Sequence, residues 1–273
     1  MSRRIAFLAA GLAAVAGVAV VSPAAGPPAA APTTEAVATT AGAAPVAAVA
    51  PAEPAVHWSE PHAYGLAPTA TSGSTATYKF SVIYNSKVVR WNPCQAIHWK
   101  FRSSGAPSGG FNVVKAAVAR VAYLTGTRWV YDGTVTTHPS SKWLPTSTTT
   151  IRPVLIGWTR GKYSDLLAGQ AASVLGVTRT AYFTSTVNGT RVAATKAAVI
   201  ALDNTNSLPM TGAVSWKSTM LHELGHLMGM DHVGTTSQMM YPVLQRSHTD
   251  FQSGDRTGLS KVGRNAGCVN LGF

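Results

Sequence analysis

The residues with the clearest chemical potential lie in one short segment, 222–232, which reads HELGHLMGMDH. His222 and His226 are four residues apart, so on an α-helix both imidazoles would project from one face, about one turn apart. Two imidazoles so placed can bind one Zn²⁺ ion at about 2.0–2.1 Å. Glu223 lies beside His222 but off that line, where its carboxylate can reach a water on the metal and act as general base.

The rest of the segment supplies a third ligand. Gly229 follows the expected last turn of the helix, and a glycine there can adopt the left-handed conformation that reverses the chain. The reversal would bring His232 back to the metal, and three histidines leave the fourth zinc position open. A buried helix with histidines in local hydrogen bonds is the alternative, but the added Gly229 and His232 make a chance match as rare as about one in 10⁵ sequences.

The pattern H-E-x-x-H-x-x-G-x-x-H resembles the signature of the metzincin zinc proteases. Members of that family also carry a Met-turn, a methionine that lies beneath the zinc site. Residues 238–242 read QMMYP, an order similar to the matrixin branch. The resemblance therefore implies that Met240 is the Met-turn residue, with Met239 as the second choice, and that Tyr241 is structural.

The same resemblance implies an α/β fold. We expect a twisted, mostly parallel five-stranded sheet with an antiparallel edge strand, a zinc helix, a Met-turn and a C-terminal helix. Asp255 would hydrogen-bond the Met-turn, and Asp231 would orient a histidine or a loop. The sequence departs from the matrixin pattern at Val233, where serine is usual, and it has no cysteine before the domain to serve as a cysteine switch.

The chain divides by composition into three parts. Residues 1–25 read as a secretory signal peptide, with a basic start and a long apolar run; an uncleaved membrane anchor is the alternative. Residues 26–77 are rich in Ala, Pro and Thr and predict a linker, a loosely packed strap or a pro-region. If they are an inhibitory pro-segment, Glu53 and Glu60 are the candidate zinc ligands. Residues 78–273 form the predicted metalloprotease domain.

Hydrophobic periodicity places the elements of that domain. Residues 177–182 are predicted to line the cleft as the antiparallel edge strand, whose free backbone groups would pair with an extended peptide substrate. The remaining predictions are a hairpin over 78–91, strands over 96–101, 127–131 and 153–158, a hairpin of strands 176–185 and 191–202, and helices over 111–124, 215–228 and 249–262.

Composition adds expectations about partners and compartment. The formal charge is +12, which favours an anionic cell-surface or matrix polymer, although the basic residues are scattered and no nucleic-acid-binding module is present. Cys94 and Cys268 are the only cysteines, and export predicts that they form a disulfide rather than two free thiols. We expect a secreted monomer without a membrane span after signal cleavage.

The leading interpretation is a zinc-dependent endopeptidase acting on proteins or peptides. Matrixins often carry calcium and a second, structural zinc, but this sequence indicates no position for either. The alternatives are a zinc hydrolase acting on cell-wall peptides or amides, and a catalytically silent binding module with the same fold. The other histidines show no ligand spacing and are predicted to be surface or core residues: His57, His62, His98, His138 and His248.

Overall fold

The computed structural model describes residues 53–66 and 75–273, so the predicted signal peptide and most of the 26–77 segment lie outside the described residues. Within the described ranges, no helix combines the length and hydropathy that a membrane span needs. The elements, in chain order, are β1 (Ala55–Trp58), β2 (His62–Gly65), β3 (Ile83–Tyr84), β4 (Lys87–Val88), β5 (Ile97–Arg102), α1 (Gly110–Thr125), β6 (Trp129–Thr134), β7 (Val154–Thr159), β8 (Val174–Val187), β9 (Thr190–Asp203), α2 (Trp216–Leu227) and α3 (Ser253–Val262).

One sheet organises these elements, in the order β1-β8-β9-β7-β5-β6, with β2 also paired to β8. Strands β6, β5, β7 and β9 are mutually parallel, and β8 runs antiparallel to β9. The α/β class, the mostly parallel strand arrangement and the antiparallel strand at one side are therefore confirmed. The main sheet has seven strands rather than five, because the short strands β1 and β2 join it.

The long β8–β9 hairpin follows from its turn residues. Asn188 and Gly189 both have positive φ values, 49° and 74°. A two-residue hairpin turn of type I′ needs positive φ at both positions, which Asn-Gly tolerates best. The pairing then continues from Val187–Thr190 to Gly176–Leu202 with one irregularity, between Ala181 and Tyr182.

The outer side of β8 is already paired. Strand β1 runs antiparallel to it from Ala55–Thr184 to Trp58–Ala181, and β2 continues along it from His62–Thr178. The expectation that the backbone groups of residues 177–182 would be free is therefore wrong. No sign of this pairing appears in the sequence, because neither β1 nor β2 has a clear alternation of apolar and polar residues.

The helix that carries the histidine pair begins at a well-formed cap. The Ser215 hydroxyl oxygen accepts a hydrogen bond from the backbone N–H of Ser218, and the Ser218 side chain bonds back to the Ser215 N–H. The usual glutamate of a capping box is thus replaced by a serine. Four apolar residues of α2 are 0% exposed: Met220, Leu221, Leu224 and Leu227.

Cys94 and Cys268 form the expected disulfide, across a sequence separation of 174 residues. Both cysteines are solvent-exposed. The bond therefore contributes little core packing, and its effect on stability should come mainly from restricting the unfolded chain.

We predict that the double substitution Cys94→Ser/Cys268→Ser lowers the free energy of unfolding by about 4–5 kcal/mol, the loop-closure entropy of so long a loop. Urea denaturation of the variant and of the wild-type chain measures the difference. Wild-type protein treated with a phosphine reductant is the matched control and should behave like the variant. Equal urea midpoints for the oxidised wild-type chain and the variant would contradict this account.

Candidate metal centre

Three imidazole nitrogens converge at the end of α2. The Nε2 atoms of His222 and His226 are 2.9 Å apart, and the Nε2 atom of His232 lies 3.2 Å from the first and 3.1 Å from the second. Ligands placed tetrahedrally at 2.0–2.1 Å from a zinc ion are separated by roughly 3.3 Å. The predicted ligand set is therefore brought together at separations close to those that one small ion requires.

Backbone carbonyls orient two of these rings. Nδ1 of His222 lies 2.6 Å from the carbonyl oxygen of Met239, and Nδ1 of His226 lies 2.9 Å from that of Met230. A carbonyl can only accept, so each Nδ1 carries the proton and each Nε2 presents a lone pair. Burial also lowers the pKa of both histidines well below the usual 6.5, which keeps the rings neutral. The Nε2 atoms of His222 and His226 therefore face each other without a proton between them, and such an arrangement is suited to bind a metal cation.

The chain reversal predicted at Gly229 has the expected geometry. Gly229 has φ = 104°, and an added Cβ would lie 2.9 Å from the carbonyl oxygen of Val89. Asp231, two residues later, accepts a hydrogen bond of 2.7 Å from the backbone N–H of His232 and pairs with Lys79 at 2.7 Å. Asp231 thus holds the returning loop that carries His232.

Glu223 is fully buried beside this cluster. One carboxylate oxygen accepts a hydrogen bond of 2.5 Å from the Thr178 hydroxyl, whereas Oε1 has no partner among the described residues. Burial raises the pKa of Glu223 to about 8, with the Thr178 hydrogen bond acting in the opposite direction. A Cβ at Gly176 would lie 2.7 Å from Oε1, so this glycine leaves the space that the carboxylate occupies. The unpartnered oxygen can exchange a proton with a water or a substrate group.

The segment of the predicted Met-turn lies directly under the histidines. A Cβ added at Gly225 would clash with the sulfur of Met240, so the glycine in α2 makes room for that side chain. The carboxylate of Asp255 accepts backbone hydrogen bonds from Met239 at 2.7 Å, Met240 at 3.2 Å and Gln252 at 2.8 Å. Asp255 thereby ties the turn to the start of α3, as the resemblance implied.

Two further aromatic rings lie on the cluster, and the sequence did not point to either. His62 stacks on His226 with ring centroids 4.4 Å apart, and Tyr64 stacks on His222 at 3.7 Å. Both belong to β2, far from α2 along the chain, so no local spacing relates them to the motif. Only the pairing of β2 with β8 brings them here.

The remaining histidines have partners of their own away from the cluster. His57 contacts the Thr184 hydroxyl at 3.2 Å, and His248 contacts the carbonyl oxygen of Thr236 at 2.8 Å. His98 lies 2.9 Å from Asp132, and His138 lies 2.7 Å from the Thr159 hydroxyl. Among the five histidines without ligand spacing, His62 alone meets the predicted ligands.

We predict that Asp255→Asn lowers the free energy of unfolding by about 1–3 kcal/mol, because the amide group cannot accept all three backbone hydrogen bonds and leaves a buried N–H unpaired. Urea denaturation measures the change. Asp250→Asn is the matched control: the Asp250–Arg120 ion pair is partly exposed, so we expect a loss below about 1 kcal/mol. Equal losses in the two variants would refute the clamping role of Asp255.

Comparison with known proteins indicates which family contains this cluster of three histidines and a glutamate. A search of curated proteins finds no match to the chain. The matrixin family model matches residues 109–262, more than half of the 273-residue chain. The matched region contains the three histidines, Glu223 and the segment under them. The chain therefore belongs to the matrixin family of metallopeptidases.

Proposed function

We propose that this protein is a secreted, zinc-dependent endopeptidase. The observations that carry the proposal are the convergence of three imidazole Nε2 atoms and the buried carboxylate oxygen of Glu223, the residue after His222, which has no partner among the described residues. Membership of the matrixin family supports a metallopeptidase, and the three-histidine donor set is one that catalytic zinc sites use. Export rests on the sequence of residues 1–25 and agrees with the disulfide.

The roles of the protein groups follow from their positions. His222, His226 and His232 would hold the zinc ion, which supplies Lewis acidity to a bound water and to the scissile carbonyl. Glu223 accepts the proton of the attacking water on its free oxygen and then delivers it to the leaving amine nitrogen. Thr178 holds the other oxygen of the carboxylate and so fixes the direction in which the free oxygen points.

The fold also supports a peptide as the substrate. The outer side of β8 and the segment 242–245 after the Met-turn are the two walls between which an extended peptide would lie. Once residues 55–65 leave β8, main-chain hydrogen bonds to its outer side would give affinity for any extended sequence. We propose that the chain acts as a monomer and that its net charge of +12 favours association with an anionic surface polymer.

We predict that Glu223→Gln lowers casein cleavage by about 10²–10⁴-fold while leaving near one zinc per chain, because the base is lost and the ligands remain. Because residues 55–65 pair with β8 through their backbone, casein cleavage is measured before and after limited proteolysis by a serine protease that releases this segment. A chelator should abolish cleavage, and added zinc should restore it. Asp132→Asn, which removes the same charge from an exposed carboxylate that contacts His98 away from the cluster, is the control and should cleave normally.

Three outcomes would count against the endopeptidase. A folded chain that binds no zinc would refute the metal site. Zinc binding with release of cell-wall peptides but no casein cleavage would favour the cell-wall hydrolase. Zinc binding without hydrolysis of either substrate, before or after release of residues 55–65, would favour the silent binding module.

A further inference from the structure

A cavity whose lining includes neither the three candidate zinc ligands nor Glu223 is rich in cationic side chains. Its volume is about 440 Å³, which lies within the usual range of ligand-binding pockets. No Asp or Glu of the described residues lines it. The four charged side chains that line it are all positive: Lys87, Arg90, Arg191 and Lys261.

Separate parts of the fold bring these four charges together. Lys87 belongs to β4 and Arg90 follows that strand, whereas Arg191 lies at the start of β9 and Lys261 near the end of α3. The side-chain amide of Asn85 donates to the carbonyl oxygen of Arg191 at 3.1 Å and so ties the β3–β4 hairpin to β9. Charges of one sign that are collected in one place repel one another, and they attract an ion of the opposite sign.

Arg90 is the buried cation of this group, with 9% of its surface exposed. Its guanidinium donates to the carbonyl oxygen of Ala266 at 2.8 Å and to that of Trp91 at 3.4 Å. The ion pairs among the described residues all involve other side chains, so no carboxylate balances this charge. Buried charges are ordinarily paired, and a guanidinium has five N–H groups, so Arg90 retains donors for an anion.

The other three cations are exposed at the rim of the cavity. Nε of Arg191 donates to the Tyr84 hydroxyl at 3.0 Å, and the guanidinium lies 5.2 Å from the centroid of the Tyr84 ring. The ammonium group of Lys261 lies 5.8 Å from the centroid of the Tyr78 ring. These aromatic contacts hold the side chains without neutralising them, so the rim keeps its positive charge.

A phosphate or sulfate group suits this set of donors. Its oxygens match the planar fork of a guanidinium, and they accept charge-assisted hydrogen bonds from ammonium groups as well. The cavity is larger than one such ion, and its rim is open to solvent, so a longer chain can continue out of it. The side-chain amide of Asn270, which also lines the cavity, can hydrogen-bond the hydroxyl groups of a sugar.

A nucleic acid fits the cavity less well. Proteins that bind single strands stack the bases on free aromatic rings. Among the described residues, Tyr84 supplies the only aromatic ring of the cavity lining, and the guanidinium of Arg191 already lies over it. The positive charges also converge on one cavity instead of following a groove, which favours a short anionic segment over a long backbone.

We propose that this cavity binds phosphate or sulfate groups of an anionic polysaccharide, with Arg90 at its base and Lys87, Arg191 and Lys261 at its rim. The inference rests on the polymer association proposed above and gives that association one place on the fold. It does not depend on the zinc site.

The test measures binding to the full wild-type chain by fluorescence anisotropy at physiological ionic strength. The two labelled probes are a sulfated hexasaccharide and a phosphorylated pentasaccharide, and the tighter one identifies the oxyanion. Lys87→Gln/Arg191→Gln should weaken its binding by about 10–30-fold, because two exposed cations that face the anion are lost.

Lys115→Gln/Arg128→Gln is the matched control. It removes the same charge from two exposed residues outside the cavity, and Lys115 lies over the ring of Phe111 as Arg191 lies over that of Tyr84. Because distant surface charges are screened by salt, we expect this variant to bind within about twofold of the wild-type chain.

A second measurement needs no variant. The wild-type chain is acetylated with and without a saturating concentration of the tighter oligosaccharide, and each lysine is followed by mass spectrometry. Lys87 and Lys261 should lose most of their acetylation when the ligand is bound. The exposed residues Lys115 and Lys142, which do not line the cavity, should be acetylated as before.

Each contrary outcome overturns a different part of the inference. Absence of binding by either oligosaccharide refutes both the cavity and the polymer association. Equal losses in the two double variants, or equal protection of all four lysines, refute the cavity and leave association through net charge alone. Tighter binding of a thymidine oligonucleotide through the same residues refutes the polysaccharide as the ligand. None of these measurements involves zinc or peptide hydrolysis, so failure here and failure of the endopeptidase are distinguishable.

Discussion

The hydrogen bond from Nδ1 of His222 to the carbonyl oxygen of Met239 is the interaction on which the geometry of the histidine cluster depends. Together with the equivalent bond from His226 to Met230, it sets the tautomer of each ring and aims each Nε2 lone pair at one point. The chain turns that contain Met239 and Met230 hold these two carbonyl groups in position. The geometry of the site is thus decided by backbone groups outside the HExxH helix.

Close approach of the helix to the turn beneath it makes those bonds possible. Gly225 presents no Cβ to the sulfur of Met240, and Asp255 holds the turn by its backbone N–H groups. The same tight packing leaves Glu223 in a dry environment, where burial raises its pKa. A carboxyl group whose pKa lies near neutral pH is suited to accept and return a proton, which is the role proposed for Glu223.

Much of the fold could be predicted, because the signals are local. The Asn188-Gly189 turn specified the β8–β9 hairpin, and the apolar periodicity of α1 and α2 placed both helices to within a few residues. Helix α3 begins later than predicted, at Ser253, where the carboxylate of Asp255 accepts a hydrogen bond from the backbone N–H of Gln252. The capping box of Ser215 and Ser218 was also missed, because serine is an unusual partner in that motif.

The sequence by itself determined the ligand histidines, the neighbouring glutamate and the turn glycine as candidates, since a helical repeat of four residues fixes which side chains share a face. It also indicated the disulfide, because the chain has only two cysteines. Only the tertiary structure decided that His62 and Tyr64 lie on those histidines and that the outer side of β8 is occupied. Strand pairing between distant segments depends on backbone hydrogen bonds, which every residue except proline can form, and it therefore leaves little trace in side-chain identity.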